Sequence, residues 1–229
     1  MATGRRRGLQ RRQAWVVCPD AAAPENIVKA FVVGFPKSGT TTIQTAFVEA
    51  GLNSWHWQAP TGQYVGELLY KNHFRHGDPF SKLGHVDAIT QADVCIPAAS
   101  LNLWPQLDFA FLARVRELHP DCLMVLNFRD PKATASSISR WGDMQMRFLK
   151  SDIIGLPRGY GSLPEIEAWI RRHHDALRHF FAGDRRFVEI DIAEDSARAK
   201  LSDALGVRLP WWGIANANPD EARKKLAGR

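Results

Sequence analysis

The sequence has few cysteines and lacks any long apolar run. Its three cysteines in 229 residues, Cys18, Cys95 and Cys122, are widely spaced and form no CxxC pair. An odd, scattered set argues against a disulfide framework and against a cysteine zinc site. No stretch approaches the roughly 18 consecutive apolar residues of a membrane helix, so no membrane span is predicted. These absences favour a cytoplasmic, metal-free protein.

Acidic residues are missing from the start of the chain. The first is Asp20, and five arginines precede it. Like-charge runs of this kind are typical of solvated segments, so residues 1–25 are predicted to be a basic, partly disordered tail. Residues 26–229 are predicted to form a single α/β domain. The formal net charge of +6 suits an anionic ligand but does not identify it, and nucleic acid remains possible on charge alone.

Apolar runs with strand character alternate with amphipathic stretches along the rest of the chain. Strands are predicted at 29–33, 54–57, 87–93, 123–128 and 187–191, and helices at 41–50, 64–72, 106–118, 131–139, 164–181 and 196–205. This alternation predicts a three-layer α/β fold, in which helices flank both faces of a mostly parallel sheet. Ligands of such sheets bind at the carboxyl ends of the strands.

The string GFPKSGTT at residues 34–41 lies between the first predicted strand and the first helix. In that context, backbone N–H groups and the helix N-terminus converge on a phosphate. Gly34 and Gly39 keep the spacing of the ordinary P-loop, GxxxxGK[ST], and Thr41 holds its hydroxyl position. Thr40, however, replaces the lysine, which has moved to Lys37 inside the loop. With no evident carboxylate for magnesium, ATP hydrolysis is not favoured.

Two motifs resemble those of the PAPS-dependent sulfotransferases, which use 3′-phosphoadenosine 5′-phosphosulfate (PAPS) as donor. PKSGTT at 36–41 is similar to the family's 5′-phosphosulfate loop, and Arg129 with Ser137, eight residues on, is similar to its 3′-phosphate pair. The resemblance implies a P-loop-like sulfotransferase fold, no metal cofactor, and PAP as the product. The donor-binding residues that it implies are Lys37, Ser38, Gly39, Thr40, Thr41, Thr42, Arg129 and Ser137.

The resemblance also implies roles for individual residues. Backbone amides of residues 38–41 would cradle the 5′-phosphate, and Lys37 would place its ammonium on the bridging oxygen, where charge develops. Ser137 would bind the 3′-phosphate and restrain Lys37 until the acceptor binds. Sulfuryl transfer to a hydroxyl or amine is then the expected reaction.

The chain departs from the family's pattern at two places. Cytosolic members follow the loop with a tryptophan that stacks on adenine, whereas this chain has Thr42. The C-terminal RKG loop of those members is missing, and the basic residues at 223–225 resemble it only loosely. How adenine is held is therefore left open.

An acceptor hydroxyl needs a general base within hydrogen-bond reach. The family places a His, Glu or Asp near the strand ends between its two donor motifs, and Asp93 ends the third predicted strand. Asp93 is therefore the candidate base. His56 and His85 are rivals, because an imidazole has a better matched pKa. The acceptor is expected to be a small molecule or carbohydrate, and a lipid headgroup or a phenol also remains open.

Other conspicuous residues suggest structure rather than chemistry. His173 and His174 are adjacent on a predicted helix, so their side chains point about 100° apart, and a solvated basic helix is predicted instead of a metal site. Cys95 is predicted to be a buried thiol. Most of the eight tryptophans are expected in core or lid packing, while six of them could stack on a sugar or aromatic acceptor, namely Trp55, Trp57, Trp104, Trp141, Trp211 and Trp212.

Two competing functions are a P-loop kinase or NTPase and a non-catalytic nucleotide-binding or nucleic-acid-binding module. The first would require a lysine at position 40 and a magnesium carboxylate. The second would require the interleaved aromatic and basic residues of RNA-binding surfaces, which are missing. The sequence therefore favours a sulfotransferase without a nucleic-acid partner, and leaves the oligomeric state open.

Overall fold

The computed structural model describes residues 28–215. The predicted basic tail and the basic residues at 223–225 lie outside this range. The strands are β1 (Ala30–Val32), β2 (Ser54–His56), β3 (Ala88–Gln91), β4 (Val94–Ile96), β5 (Leu101–Leu103), β6 (Leu123–Phe128) and β7 (Phe187–Asp191). The α-helices are α1 (Thr40–Glu49), α2 (Val65–His76), α3 (Phe109–Leu118), α4 (Pro131–Ser139), α5 (Met144–Leu149), α6 (Leu163–Phe180) and α7 (Ala197–Leu205), and 3₁₀-helices cover Pro97–Ala99 and Pro105–Leu107.

Five strands form the central sheet in the order β2-β3-β1-β6-β7. Every pairing within it is parallel, which confirms the predicted parallel sheet. The antiparallel pair of β4 and β5 lies outside this sheet and was not predicted. Because β1 is central, the loop that follows it lies between the carboxyl ends of β3 and β6.

The two faces of the sheet bury different sets of helices. Along β1, Phe31 packs into a core with α2, α3 and α6, whereas Ala30 and Val32 pack into a second core with α1 and α7. Successive strand side chains point to opposite faces, and here both faces are apolar, so both must be covered. The three-layer α/β arrangement is therefore confirmed. Within residues 28–215, no helix is long and apolar enough to cross a membrane.

A third apolar cluster lies beneath the loop after β1. Phe35, in that loop, packs with Trp104, Ile138, Phe148 and Trp169, which come from β5's end, α4, α5 and α6. The rings of Phe35 and Trp169 meet edge to face, with centroids 4.7 Å apart. This cluster anchors the loop to three helices that are distant in sequence.

Helix α6 is not the solvated basic helix that the sequence predicted. His173 and His174 are 7% and 1% exposed, and their rings contact Phe35 with centroid distances of 5.2 and 5.8 Å. Burial lowers the pKa of both imidazoles to about 4. Only the opposite face, with Arg171 and Arg178, is exposed. The prediction was wrong because α6 covers the loop that carries Phe35.

Candidate active site

The loop between β1 and α1 contains two residues with left-handed backbone geometry. Gly39, the N-cap of α1, has a φ of 81°, and Lys37 has a φ of 65°. Such turns direct successive N–H groups toward one side. At Gly39 a Cβ would lie 2.6 Å from Cδ1 of Ile192, so that side chain would have to shift to admit any other residue. At Lys37 the conformation costs energy, as is common at functional sites.

Strand β6 and the residue that follows it hold this loop in place through two side chains. Asn127 donates from Nδ2 to the carbonyl oxygen of Ser38 over 2.9 Å, and Arg129 donates from Nη1 to that of Lys37 over 2.8 Å. Asn127 also accounts for the glycine at position 34, because a Cβ there would lie 2.1 Å from the asparagine Oδ1. Sequence reasoning missed Asn127, although a lone polar residue within an apolar strand was a usable signal.

Three consecutive features position Arg129 and Ser137, namely strand β6, the N-cap of α4 and helix α4 itself. Arg129 follows β6, and Asp130 caps α4 by accepting from the backbone N–H of Ala133 over 2.8 Å. Ser137 lies in the second turn of α4 and is only 2% exposed. The eight-residue spacing thus places both side chains on the wall of one cavity.

That cavity has a volume of about 600 Å³ and opens at the carboxyl ends of the parallel strands. It brings together most of the predicted site residues, namely Lys37, Gly39, Thr40, Thr41, Thr42, His56, Asp93, Arg129 and Ser137. Ser38 is buried behind the loop, and its hydroxyl has no hydrogen-bond partner within residues 28–215. His85 is exposed before the start of β3, at the opposite edge of the sheet, and does not line the cavity.

Asp93 lies at the end of a side-chain network that begins at the loop. Thr40 donates its hydroxyl to Oε1 of Gln91 over 3.1 Å. Gln91 and Gln106 then donate from their Nε2 atoms to the two carboxylate oxygens of Asp93, over 3.2 and 3.3 Å. Burial raises the pKa of Asp93 to about 7, although both amides oppose the shift. A carboxylate with this pKa is matched to accepting a proton near neutral pH.

His56 lies at the end of β2, and its Nδ1 is 3.0 Å from the hydroxyl oxygen of Thr90. That hydroxyl donates its hydrogen to Oε1 of Gln44 over 2.8 Å. Nδ1 of His56 must therefore be the donor to Thr90, which leaves the lone pair on Nε2. Burial lowers the pKa of His56 to about 4, so the ring is neutral at physiological pH.

Thr42 connects helix α1 to a segment from the far end of the described chain. Its hydroxyl donates to the carbonyl oxygen of Gly213 over 2.8 Å and accepts from the backbone N–H of Ala215 over 3.4 Å. Residues 213–215 thereby line the cavity. Sequence reasoning missed this segment. The small side chain at position 42 leaves space that the segment occupies.

Trp141 also lines the cavity, and its indole ring lies against the Lys37 ammonium. It follows Ser137 by four residues, just beyond the end of α4. Short contacts between an ammonium and an aromatic face are attractive because the ring's quadrupole is negative on its face. The sequence indicated Trp141 only as one of several tryptophans, without a partner.

Known proteins that are similar to this chain include a domain family and a solved structure. Residues 29–158, more than half of the chain, match the sulfotransferase domain family, and the matched region contains both the loop after β1 and the Arg129–Ser137 pair. Among solved structures, the chain is similar to the sulfotransferase domain from the Synechococcus PCC 7002 olefin synthase, with 14% identity, coverage of 90% of this chain and 85% of that one, and a TM-score of 0.45. A search of curated proteins found no match. From its match to the family over residues 29–158, this chain belongs to the sulfotransferase domain family.

Proposed function

We propose that this protein transfers a sulfuryl group from PAPS to a hydroxyl or amine acceptor. The observation that carries the proposal is that both candidate phosphate-binding elements line one cavity and are bonded to each other, Arg129 to the Lys37 carbonyl. A cytoplasmic location is part of the proposal. The buried free thiols of Cys95 and Cys122 support it, because thiols persist in reducing compartments.

The cavity fits a donor that carries several negative charges. Lys37 and Arg129 supply two cations to its lining, and charged hydrogen bonds to phosphate are among the stronger ones in proteins. Gly39, at the N-terminus of α1, lets the backbone approach a phosphate closely because it has no Cβ. The donor supplies the activated sulfuryl group, so the protein has to bind, orient and neutralise charge.

Each donor-site residue then has a defined task. Arg129 and Ser137 bind the 3′-phosphate, and backbone amides of residues 38–41 bind the 5′-phosphate. Lys37 meets the negative charge that develops on the bridging oxygen as the bond from that oxygen to sulfur breaks. Because Arg129 and Trp141 already hold Lys37, its ammonium needs little reorganisation during the reaction.

Asp93 is the general base in this proposal. Its carboxylate accepts the proton of the acceptor hydroxyl while the hydroxyl oxygen forms a bond to sulfur. The bond between sulfur and the bridging oxygen breaks at the same centre, so that a sulfate ester and PAP result. The pKa of about 7 supports this role. His56 is the alternative base, because its Nε2 lone pair is available on the same cavity wall.

Ligand binding tests the proposal against a kinase or NTPase. In a thermal-shift assay without magnesium, PAP should stabilise the protein more than 5′-AMP or ATP does, because two phosphate-binding elements are present. The Arg129→Ala variant is the matched control and should lose the preference for PAP over 5′-AMP. Greater stabilisation by ATP with magnesium would contradict the proposal. Incubation with labelled PAPS and a metabolite extract would then identify the sulfated product.

A further inference from the structure

Part of the cavity lining belongs to neither donor motif. Four of these side chains, here called the acceptor wall, are Trp57, Ile96, Trp141 and Met144. They follow β2, end β4, follow α4 and begin α5, so four separate elements contribute. All four are apolar or aromatic, and the described structure leaves all four partly accessible to solvent.

Two polar side chains of the cavity lining, Gln91 and Arg147, already bond to other groups of the protein. Both amide atoms of Gln91 are engaged, with Thr40 and Asp93. Arg147 pairs with Asp143 over 2.7 Å at the protein surface. These contacts reduce the number of polar atoms that can bind an acceptor, and the Asp93 carboxylate and Nε2 of His56 are among those that remain.

Trp57 is held on the cavity by a conformation that is unfavourable for a bulky residue. Its φ is 62°, and left-handed geometry at such residues persists only where the surroundings enforce it. Its N–H donates to Gln91 and its carbonyl accepts from Val65, each over 2.9 Å, and its ring contacts Tyr64 at 5.1 Å. The backbone is thus fixed on both sides while the indole stays 36% exposed.

We propose that the acceptor is a neutral, largely apolar alcohol or phenol, with its hydroxyl at Asp93 and its body against the acceptor wall. This inference rests on the proposed sulfotransferase function. A sugar would bury many hydroxyls against apolar side chains, and each unpaired hydroxyl would cost binding energy. Lys37 and Arg129 are proposed to face the phosphates of the donor, so an anionic acceptor would have its own charge beside the Asp93 carboxylate.

Binding to the PAP complex tests the acceptor class without requiring turnover. Calorimetry would compare 2-naphthol and 1-octanol, which are flat and extended apolar probes, with cellobiose as the saccharide probe. At least one apolar probe should bind more than tenfold tighter than cellobiose, and labelled PAPS should then sulfate it. Tighter binding of cellobiose, or no binding of either apolar probe, would overturn the proposal.

Polar substitutions in the acceptor wall provide the second arm. Ile96→Asn and Met144→Gln change partly exposed side chains at similar size, and each should weaken the bound apolar probe about tenfold or more. PAP affinity should stay unchanged, which also reports correct folding. Phe74→Ser, at a side chain that is 79% exposed on α2, is the control and should change neither affinity.

The two proposals fail in different ways. If the wild-type protein does not bind PAP, the sulfotransferase proposal itself is wrong. If PAP binds and an extract component is sulfated, but the acceptor-wall variants bind the apolar probe as the wild type does, only the acceptor class is wrong.

Discussion

The Nζ atom of Lys37 lies 3.2 Å from the centroid of the Trp141 indole ring. Lys37 belongs to the loop after β1 and Trp141 to the segment after α4, so the contact joins the proposed phosphate loop to the acceptor wall. Cation–π contacts contribute about 0.5–2 kcal/mol. We therefore expect Trp141 to position the Lys37 ammonium in addition to lining the cavity.

Replacing Trp141 should lower turnover through Lys37. At saturating acceptor, Trp141→Leu should reduce kcat about 2-fold to 30-fold, the range that corresponds to the lost cation–π energy. Trp141→Phe keeps an aromatic face and should lose less. In a Lys37→Ala background, Trp141→Leu should have almost no further effect on kcat, because the partner is gone. Losses in kcat that simply multiply would show that the ring acts independently of the lysine.

Lys37→Ala should depress turnover far more than donor binding. The ammonium is proposed to meet charge that develops only as the S–O bond breaks, and such stabilisation acts on the rate. By analogy with an oxyanion-hole donor, kcat should fall about 10²-fold to 10³-fold, while PAP binds within roughly tenfold of wild type because the backbone amides remain. Rapid-quench kinetics and calorimetry measure the two quantities. A folded variant with near-normal turnover would refute the assigned role.

Arg129→Ala should mainly weaken binding of ligands that carry a 3′-phosphate. Loss of a charged hydrogen bond worth about 1.5–3 kcal/mol predicts a drop of tenfold or more in PAP affinity. A smaller loss shared with 5′-AMP is expected, because Arg129 also donates to the Lys37 carbonyl. Titration calorimetry with both nucleotides separates the two contributions. Equal losses for PAP and 5′-AMP would place Arg129 in a purely structural role.

The pH dependence of turnover should distinguish Asp93 from His56. Either base acts in its deprotonated form, so activity rises with pH through the pKa of the group that is used. This rise is the acid limb of the pH profile. If Asp93 is the base, the limb lies near pH 7, whereas for His56 it would lie near pH 4. Asp93→Asn should remove the limb and cost about 10²-fold to 10⁴-fold in kcat. His56→Gln is the matched control and should leave the limb in place; a wild-type limb near pH 4 would favour His56.

His174 should make the protein sensitive to acid. Its pKa is lowered from 6.5 to about 4 by burial, so it favours the folded state above pH 6.5, and this contribution is lost as the pH falls toward 4. At pH 5 the loss reaches at most about 2 kcal/mol. His174→Phe should therefore reduce the slope of the unfolding free energy against pH by the amount that corresponds to about one proton. Urea unfolding at several pH values measures this slope. The buried His173 and His56 would still contribute to the slope in this variant. An unchanged slope would contradict the burial of His174.

The sequence by itself determined the two motif-bearing units, because their signals are local. An apolar strand followed by Gly34 and Gly39 predicts a phosphate loop, and an apolar strand followed by a capping aspartate and Pro131 predicts the turn into α4. Each unit is encoded within about fifteen residues, and the structure contains both at the predicted positions. The alternation of strands and helices was sufficient to predict the parallel sheet between them.

Only the tertiary structure decided which distant residues meet at the loop. Asn127 bonds to Ser38 across 89 residues of sequence, and Thr42 to Gly213 across 171. The burial of His174 depends on Phe35, which lies in another element. No periodicity within a helix reports which face a remote segment will cover, since that depends on how separate elements pack. The environments of His174, Thr42 and Trp141 therefore became evident only once the layers were assembled.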